Sequence, residues 1–347
     1  MKENATEIRL SVASLEDAIF DQRTSWATKI RPLTGPIAMA LIAAFFGILY
    51  PETFLTRTNL VTNVLEVVSF LAIVAAAQTV VMVVGDFDLS VGGLAAFATA
   101  VTASMLTTTS LDGSAHVPSS VLLAVSIGLA VSAVAGVING FLVAYLGVLA
   151  FIVTLGMAQV FTSLARYSVN GQPVYGLVEE GFVAVARGDT LGLSNKIWMA
   201  LGFCLAIWFL LDHTALGRKM YAVGGNPTAA YLAGINTKRV RLIAFAVAGF
   251  GAGAGGILQA ASTATANSTA PQPWMLQSIA GVFLGMAMFR NGRPNLLGTV
   301  LGVILLRTLD NGLNFTGLND FIQSAILGAA IVLAVLPPAI ARLRGQR

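Results

Sequence analysis

Charged side chains are scarce in this sequence. They make up 10% of its 347 residues, 20 Lys and Arg against 16 Asp and Glu, where a soluble globular chain carries about 25%. So little charge beside an apolar fraction of 56% excludes a disordered chain, a nucleic-acid-binding protein and an ordinary cytosolic one. Cysteine is scarcer still. Cys204 stands alone, which excludes an internal disulfide framework, and with only His116 and His213 no His and Cys cluster has metal-ligand spacing. A phosphate-binding loop needs Gly-Lys followed by Ser or Thr, and none of the five lysines follows a glycine. The chain is therefore not expected to be an enzyme, to hydrolyse ATP, or to bind a metal or cofactor of its own.

What the sequence has instead is apolar length. A mean hydropathy of +0.81 and 35 glycines point to a polytopic helical membrane protein, with the lipid bilayer as its main solvent. Roughly 20 apolar residues cross a hydrocarbon core of about 30 Å. Ten runs are candidates: Leu33 to Tyr50, Leu60 to Val84, Leu89 to Leu106, Val117 to Tyr145, Val148 to Ala165, Ile197 to Leu211, Leu242 to Ala261, Met275 to Phe289, Leu296 to Leu309 and Phe321 to Leu336. The expected fold is all-α with about ten transmembrane helices, eight being the alternative. Several runs are short or glycine-rich, so broken or re-entrant helices are expected among them. Residues 33–341 form the permeating domain between cytoplasmic tails at 1–32 and 342–347. In the first tail Ile8, Val12, Leu15 and Ile19 recur at helical spacing, which fits an amphipathic helix on a membrane or partner, or a solvated tail.

With the N-terminus inside and all ten runs crossing, 15 of the 20 basic residues fall on the inner side. Arg57, Arg166, Arg187 and Lys196 lie outside, and Arg307 lies within the ninth run. The positive-inside rule thus places both termini in the cytoplasm. The largest outer segment, Tyr167 to Lys196, is too small to be a separate binding domain.

Gly251, Gly253 and Gly256 formally match a dinucleotide fingerprint, but no Asp or Glu occurs between Asp212 and Asp310 to hold a ribose. Small residues four apart read instead as close helix contacts in lipid. The acidic stretch Gly85 to Gly92 leaves two readings: Asp88 or Ser90 caps the third helix, or the stretch touches solute or partner directly. Glu66 and the pair Arg307 and Asp310, three apart, read as interfacial residues. Thr154, Gln159, Asn170 and Gln172 can either hydrogen-bond a solute along a path or join helices.

The segment Asp212 to Arg241 carries five basic residues and one acidic one. Inside it, Asn226 to Gly234 has the marks of a short complete helix: Asn as N-cap, Pro227 at the first helical position and Gly234 at the left-handed end. Seven residues, Pro227 to Ala233, span roughly 10 Å. Such a helix suits a cleft on another protein, or rests at the headgroups.

The run LGRKMYAVGGNPTAAYLAGINTKRVR, Leu216 to Arg241, resembles the cytoplasmic loop of the permease subunits of ribose, xylose, arabinose and galactose type ABC importers. GDFDLSVGG (Gly85 to Gly93), VINGFLVAYLGVLAFIVTLGM (Val137 to Met157), NGQPV (Asn170 to Val174) and LDNGLNFTG (Leu309 to Gly317) are similar to further signatures of that family, in the family order. The resemblance implies a permease for a monosaccharide or related small polar solute. It implies partners: ABC ATP-binding subunits that use ATP and Mg, a second permease copy or paralogue, and an extracytoplasmic solute-binding protein. It also implies an ATPase-coupling helix at Gly225, Asn226, Pro227, Ala229, Ala230, Gly234 and Ile235, in a bacterial inner-membrane protein. A secondary transporter or channel is the alternative, as is uptake of amino acids, nucleosides or a sugar-like signal. Three positions depart from the family pattern: Asp86 replaces a common glycine, Leu149 and Ala150 a proline pair, and Gly285, Met286 and Ala287 a Gly-Gly-Thr-Ser stretch. The last two bear on helix breaks beside the path.

Overall fold

The computed structural model describes residues 26–107, 117–177, 179–289 and 292–344, with side chains between residues 35 and 332. The elements in chain order are α1 (Trp26–Leu49), a π-helical stretch (Asn59–Leu65) running straight into α2 (Glu66–Val83), α3 (Val91–Leu106), α4 (Val121–Ala144), α5 (Ala150–Tyr167), β1 (Val174–Tyr175), α6 (Glu180–Arg187), β2 (Asp189–Thr190), β3 (Leu193–Ser194), α7 (Asn195–His213), α8 (Ala215–Gly225), α9 (Pro227–Leu232), α10 (Thr237–Thr263), β4 (Thr265–Ala266), α11 (Trp274–Met288), α12 (Leu296–Phe315) and α13 (Asp320–Arg344). Each of the ten apolar runs lies on one of these helices. The fold is all-α, and its strands are two-residue pairings, β1 with β4 and β2 with β3. Among the described residues, five helices are long and apolar enough to cross a membrane: the π stretch with α2, then α4, α7, α10 and α12. The amphipathic tail expected before residue 20 lies outside the described residues.

α10 is the hub, and its glycines explain why. Gly249 and Gly253, four apart, face α4, where a Cβ on either would collide with Ser132. Gly251 and Gly255, also four apart but two residues out of phase, face α2 at Ala77 and at Phe70 and Val74. Gly256 faces Ala95 of α3. With no side chain on three faces, one helix approaches three neighbours to backbone distance, the small-residue packing that stands in for a hydrophobic drive in lipid. Ser132 Oγ donates to the Gly249 carbonyl across one contact at 2.5 Å. The fingerprint reading of these glycines fails because they sit mid-helix, with no strand before them.

A second pair of helices uses the same device reciprocally. Gly281 of α11 meets Gly302 of α12 and Gly285 meets Gly298, so the two run antiparallel in near backbone contact. The departure at Gly285 to Ala287 therefore introduces no break, and α11 runs through it unbroken. The other departure is equally quiet. Leu149 is the N-cap of α5 and Ala150 its first residue, so the helix starts where a proline pair would have started it.

Apolar side chains are turned outward as well as inward. Leu122, Val134 and Phe141 of α4, Phe151 and Ile152 of α5, and Leu205 and Phe209 of α7 are all exposed. In water such a surface aggregates; in a bilayer it is simply solvated. The interior carries polar joints: Thr79 and Thr299 meet at 2.9 Å, and the amides of Asn59 and Asn311 bond reciprocally at 2.9 and 3.1 Å.

Candidate functional site

One face of the bundle collects the last turns of α2, α4 and α7 and the first turns of α3, α10 and α12, and the loop of α8 and α9 is laid across it. α8 starts on a Thr214 cap, whose hydroxyl accepts from the Gly217 amide at 3.0 Å. It packs so tightly on the end of α2 that a Cβ on Gly224 would strike the Val83 carbonyl. Tyr221 Oη donates to the Pro294 carbonyl ahead of α12 at 3.0 Å. Met220 and Val223 are fully buried against Val83 and Val84. The loop is thereby held against the end of α2 and against the segment that leads into α12.

α9 is the short helix that the capping residues foretold, one residue shorter than expected. Asn226 Oδ1 accepts from the Ala229 amide at 2.9 Å, and Pro227 opens the helix. At the other end the Gly234 amide donates to the Tyr231 carbonyl and the Ile235 amide to the Ala230 carbonyl, at 2.9 and 3.0 Å, with Gly234 at φ +81°. That is a Schellman closure, which requires the left-handed residue glycine tolerates best. The candidate residues here divide by direction. Ala230 is 5% exposed and, with Ile235, packs into the permease. Ala229 is exposed, as are Gly225, Asn226, Pro227 and Gly234. Sequence reasoning missed Tyr231 and Leu232, 69% and 80% exposed, the large side chains on the outward surface of α9. Their signal was present: two bulky residues in a loop otherwise built of small ones.

Beside this loop lies the acidic turn between α2 and α3. Asp86, the residue that replaces a common glycine, forms a two-pronged pair with Arg241 in the first turns of α10: Nε to Oδ2 at 2.7 Å and the second guanidinium nitrogen to Oδ1 at 2.6 Å. The departure thus has a partner. Asp88 is fully buried. Its Oδ1 accepts from the Ser90 amide at 2.8 Å and the Ser90 hydroxyl at 2.6 Å, and Asn139 Nδ2 donates to that hydroxyl at 2.8 Å. The Gln78 amide brackets the Asp88 backbone, donating to its carbonyl and accepting from its amide at 3.2 and 3.3 Å. Asp88 thus ties down the turn ahead of α3 without capping the helix amides: Ser90 stands at the N-cap and makes no side-chain cap bond, and among the described residues Asp88 Oδ2 has no partner. Thr154 donates to the Ala150 carbonyl at 2.8 Å and, weakly, to that of Phe87 at 3.4 Å, binding α5 to the same turn.

The remaining path candidates are elsewhere. Gln159 is exposed on α5, and Asn170, at φ +52°, and Gln172 are exposed past its far end. Thr154 and Asn170 are 16 residues apart, about 24 Å along a helix, so the five candidates do not form one site. The face opposite the loop holds an ion-pair cluster. Lys196, nearly buried, pairs with Glu66 at 2.6 Å and donates to Ser262 Oγ at 2.9 Å. Arg57 and Arg187 line the same 330 Å³ cavity. Three of the four cations assigned to the outside thus meet in one place.

Residues 60–335 match the family model described as the branched-chain amino acid transport system / permease component. The ribose import permease protein of Escherichia coli K12 is 35% identical over 303 residues, covering 86% of this chain and 91% of that protein. The D-allose transport system permease protein of the same strain is 31% identical over 297 residues, covering 86% and 88%. Its galactose/methyl galactoside import permease protein is 32% identical over 314 residues, covering 87% and 92%. No solved structure matches. A matched segment of this length, full-length similarity to import permeases, and the ordered motifs now seen on one helical scaffold together establish that this chain belongs to the permease subunits of ribose, xylose, arabinose and galactose type ABC importers.

Proposed function

We propose that the chain imports a monosaccharide, with α9 as the lever through which a separate ATP-binding subunit drives it. The sugar reading is supported by relatives named for ribose, allose and galactose. The lever reading rests on one observation: a helix capped at both ends presents Ala229, Tyr231 and Leu232 outward, while its inner side is packed on α8 and the core. Arg218, Lys219, Lys238, Arg239 and Arg241 flank it in the sequence, and by the positive-inside rule that basic cluster supports a cytoplasmic position for this face and for both termini, in a bacterial inner membrane. A binding protein delivers solute at the opposite face. Two permease chains, identical or paralogous, enclose the path, and ATP with Mg is used in the partner subunits. This chain makes and breaks no covalent bond.

The test is Ala229→Trp. An indole on the outward side of α9 overfills a docking cleft, where enlargement costs about 1–3 kcal/mol, and leaves the permease interior untouched. The expected result is loss of ATPase co-purification and of uptake, with expression and membrane insertion kept. Normal assembly and transport would remove α9 as the coupling element. Ala230→Trp is not equivalent, because Ala230 faces inward and its enlargement damages the permease itself.

A further inference from the structure

We propose that the cavity beside Trp274 is a resting site for a neutral polyhydroxylated solute, a monosaccharide, in the half of the permease away from α9. It rests on the sugar-import reading above and adds a location that reading lacks.

The cavity measures 300 Å³, at the lower end of the range of about 300–1,000 Å³ for small-molecule pockets. Gln259 of α10 lines it, 22 residues beyond Thr237, or about 33 Å along the helix from the basic face. Its chemistry is mixed in a way that suits a sugar. Trp274 stacks on Phe70 with ring centroids 5.6 Å apart, building a rigid apolar wall from the first residue of α11 and the second turn of α2. Such a wall offers an aromatic surface to C–H groups. Gln259 and Gln277 also line the cavity, and among the described residues neither side-chain amide has a hydrogen-bond partner. Each amide brings two donors and an acceptor, the combination a hydroxyl group can use in either direction.

Arg307 and Asp310, an ion pair three residues apart on α12, also line the cavity. Arg307 Nε donates to the Asn63 carbonyl of the π-helical stretch at 3.1 Å, and one terminal nitrogen pairs with Asp310 Oδ2. Among the described residues, the other terminal nitrogen and Asp310 Oδ1 have no hydrogen-bond partner. Ionisable residues within a membrane-spanning helix are costly enough to signal function. Because the two charges cancel, the cavity carries no net charge to trap an ion, while it retains strong donors and acceptors for a neutral ligand. An apolar amino-acid side chain would leave the two amides unsatisfied, and an amino acid's own charges would meet no unpaired counter-charge. The π turn at Asn59–Leu65 is itself the kind of helical irregularity found at functional sites.

The experiment uses the complete transporter, permease with its ATPase and binding protein, in proteoliposomes supplied with radiolabelled D-ribose, D-allose, D-galactose or L-leucine. Gln259→Met and Gln277→Met keep side-chain length and delete the amide. Each should cut sugar uptake about threefold to tenfold, the worth of one hydrogen bond, and unequally among the three sugars, with ATPase association unchanged. Gln277→Cys in a Cys204→Ala background should react with a membrane-impermeant thiol reagent from outside, and millimolar D-ribose, D-allose or D-galactose should slow that reaction. Uptake unchanged in both Met variants, or reduced equally for all three sugars, together with labelling indifferent to sugar, would overturn the cavity as the site. Uptake of L-leucine without any sugar by the unsubstituted transporter would instead overturn the sugar-import reading beneath it.

Discussion

Two side chains that composition alone would have discarded turn out to hold the α8–α9 face together. Asp86 and Arg241 are 155 residues apart and make two hydrogen bonds of 2.6 and 2.7 Å, tying the turn after α2 to the start of α10. Removing Asp86 leaves Arg241 half-buried beside no counter-charge, a loss of about 1–3 kcal/mol. Asp86→Ala should therefore lower the melting temperature of the purified permease, and Arg241→Ala in the same background should add little, because the partner is already lost. Additive losses in that cycle would mean the pair is not coupled. The glycines make a second residue-scale test. Gly249→Ala forces α10 away from α4 and should cost about 1–3 kcal/mol of stability, whereas Gly202→Ala, whose Cβ meets nothing within 4 Å, should be tolerated or mildly stabilising. Equal effects at the two positions in thermal unfolding would contradict the packing account. The four-residue glycine spacing was legible in the sequence. Which glycine served which neighbour was not, because that depends on three helices arriving at once.

At the scale of elements, hydropathy located ten helices well and their ends poorly. α1 begins at Trp26 and not Leu33, and α10 at Thr237 and not Leu242, because helices continue past the hydrocarbon slab while an apolar run marks only the slab. α9 was readable to within a residue since its signals are local: Asn226, Pro227 and Gly234 each specify a backbone state. α8 was not, since its reason for being helical is the surface of α2 against Gly224, whose contact, Val83, is 141 residues distant in sequence. Neither was the π stretch. The neighbouring glycines 224 and 225 give a sharp contrast. Gly224→Ala should displace α8 from α2 and reduce uptake, while Gly225→Ala, with open space at its Cβ, should leave the permease fold and its melting temperature intact. A stable, active Gly224→Ala transporter would show that α8 need not be held against α2.

Across the whole molecule the two faces are unlike. The α8–α9 face is basic and exposes small and apolar side chains on a short helix; the far face pairs Lys196 with Glu66 and opens two cavities. Among the path candidates named from sequence, Asp88 and Thr154 belong to the first face, and Asn170 and Gln172 lie past the far end of α5. Sequence spacing could not separate them, since uncharged polar residues carry no sign of depth or side. Under the proposed function, α9 would act as a lever at one face and solute would enter at the other, the arrangement an importer powered from inside requires. The most direct measurement is radiolabelled monosaccharide uptake into proteoliposomes holding this permease with its binding protein, with and without the separate ATPase and internal Mg-ATP. Uptake that appears only when both ATPase and Mg-ATP are present is the expected result; sustained uptake by the permease alone, driven by an ion gradient, would contradict the account.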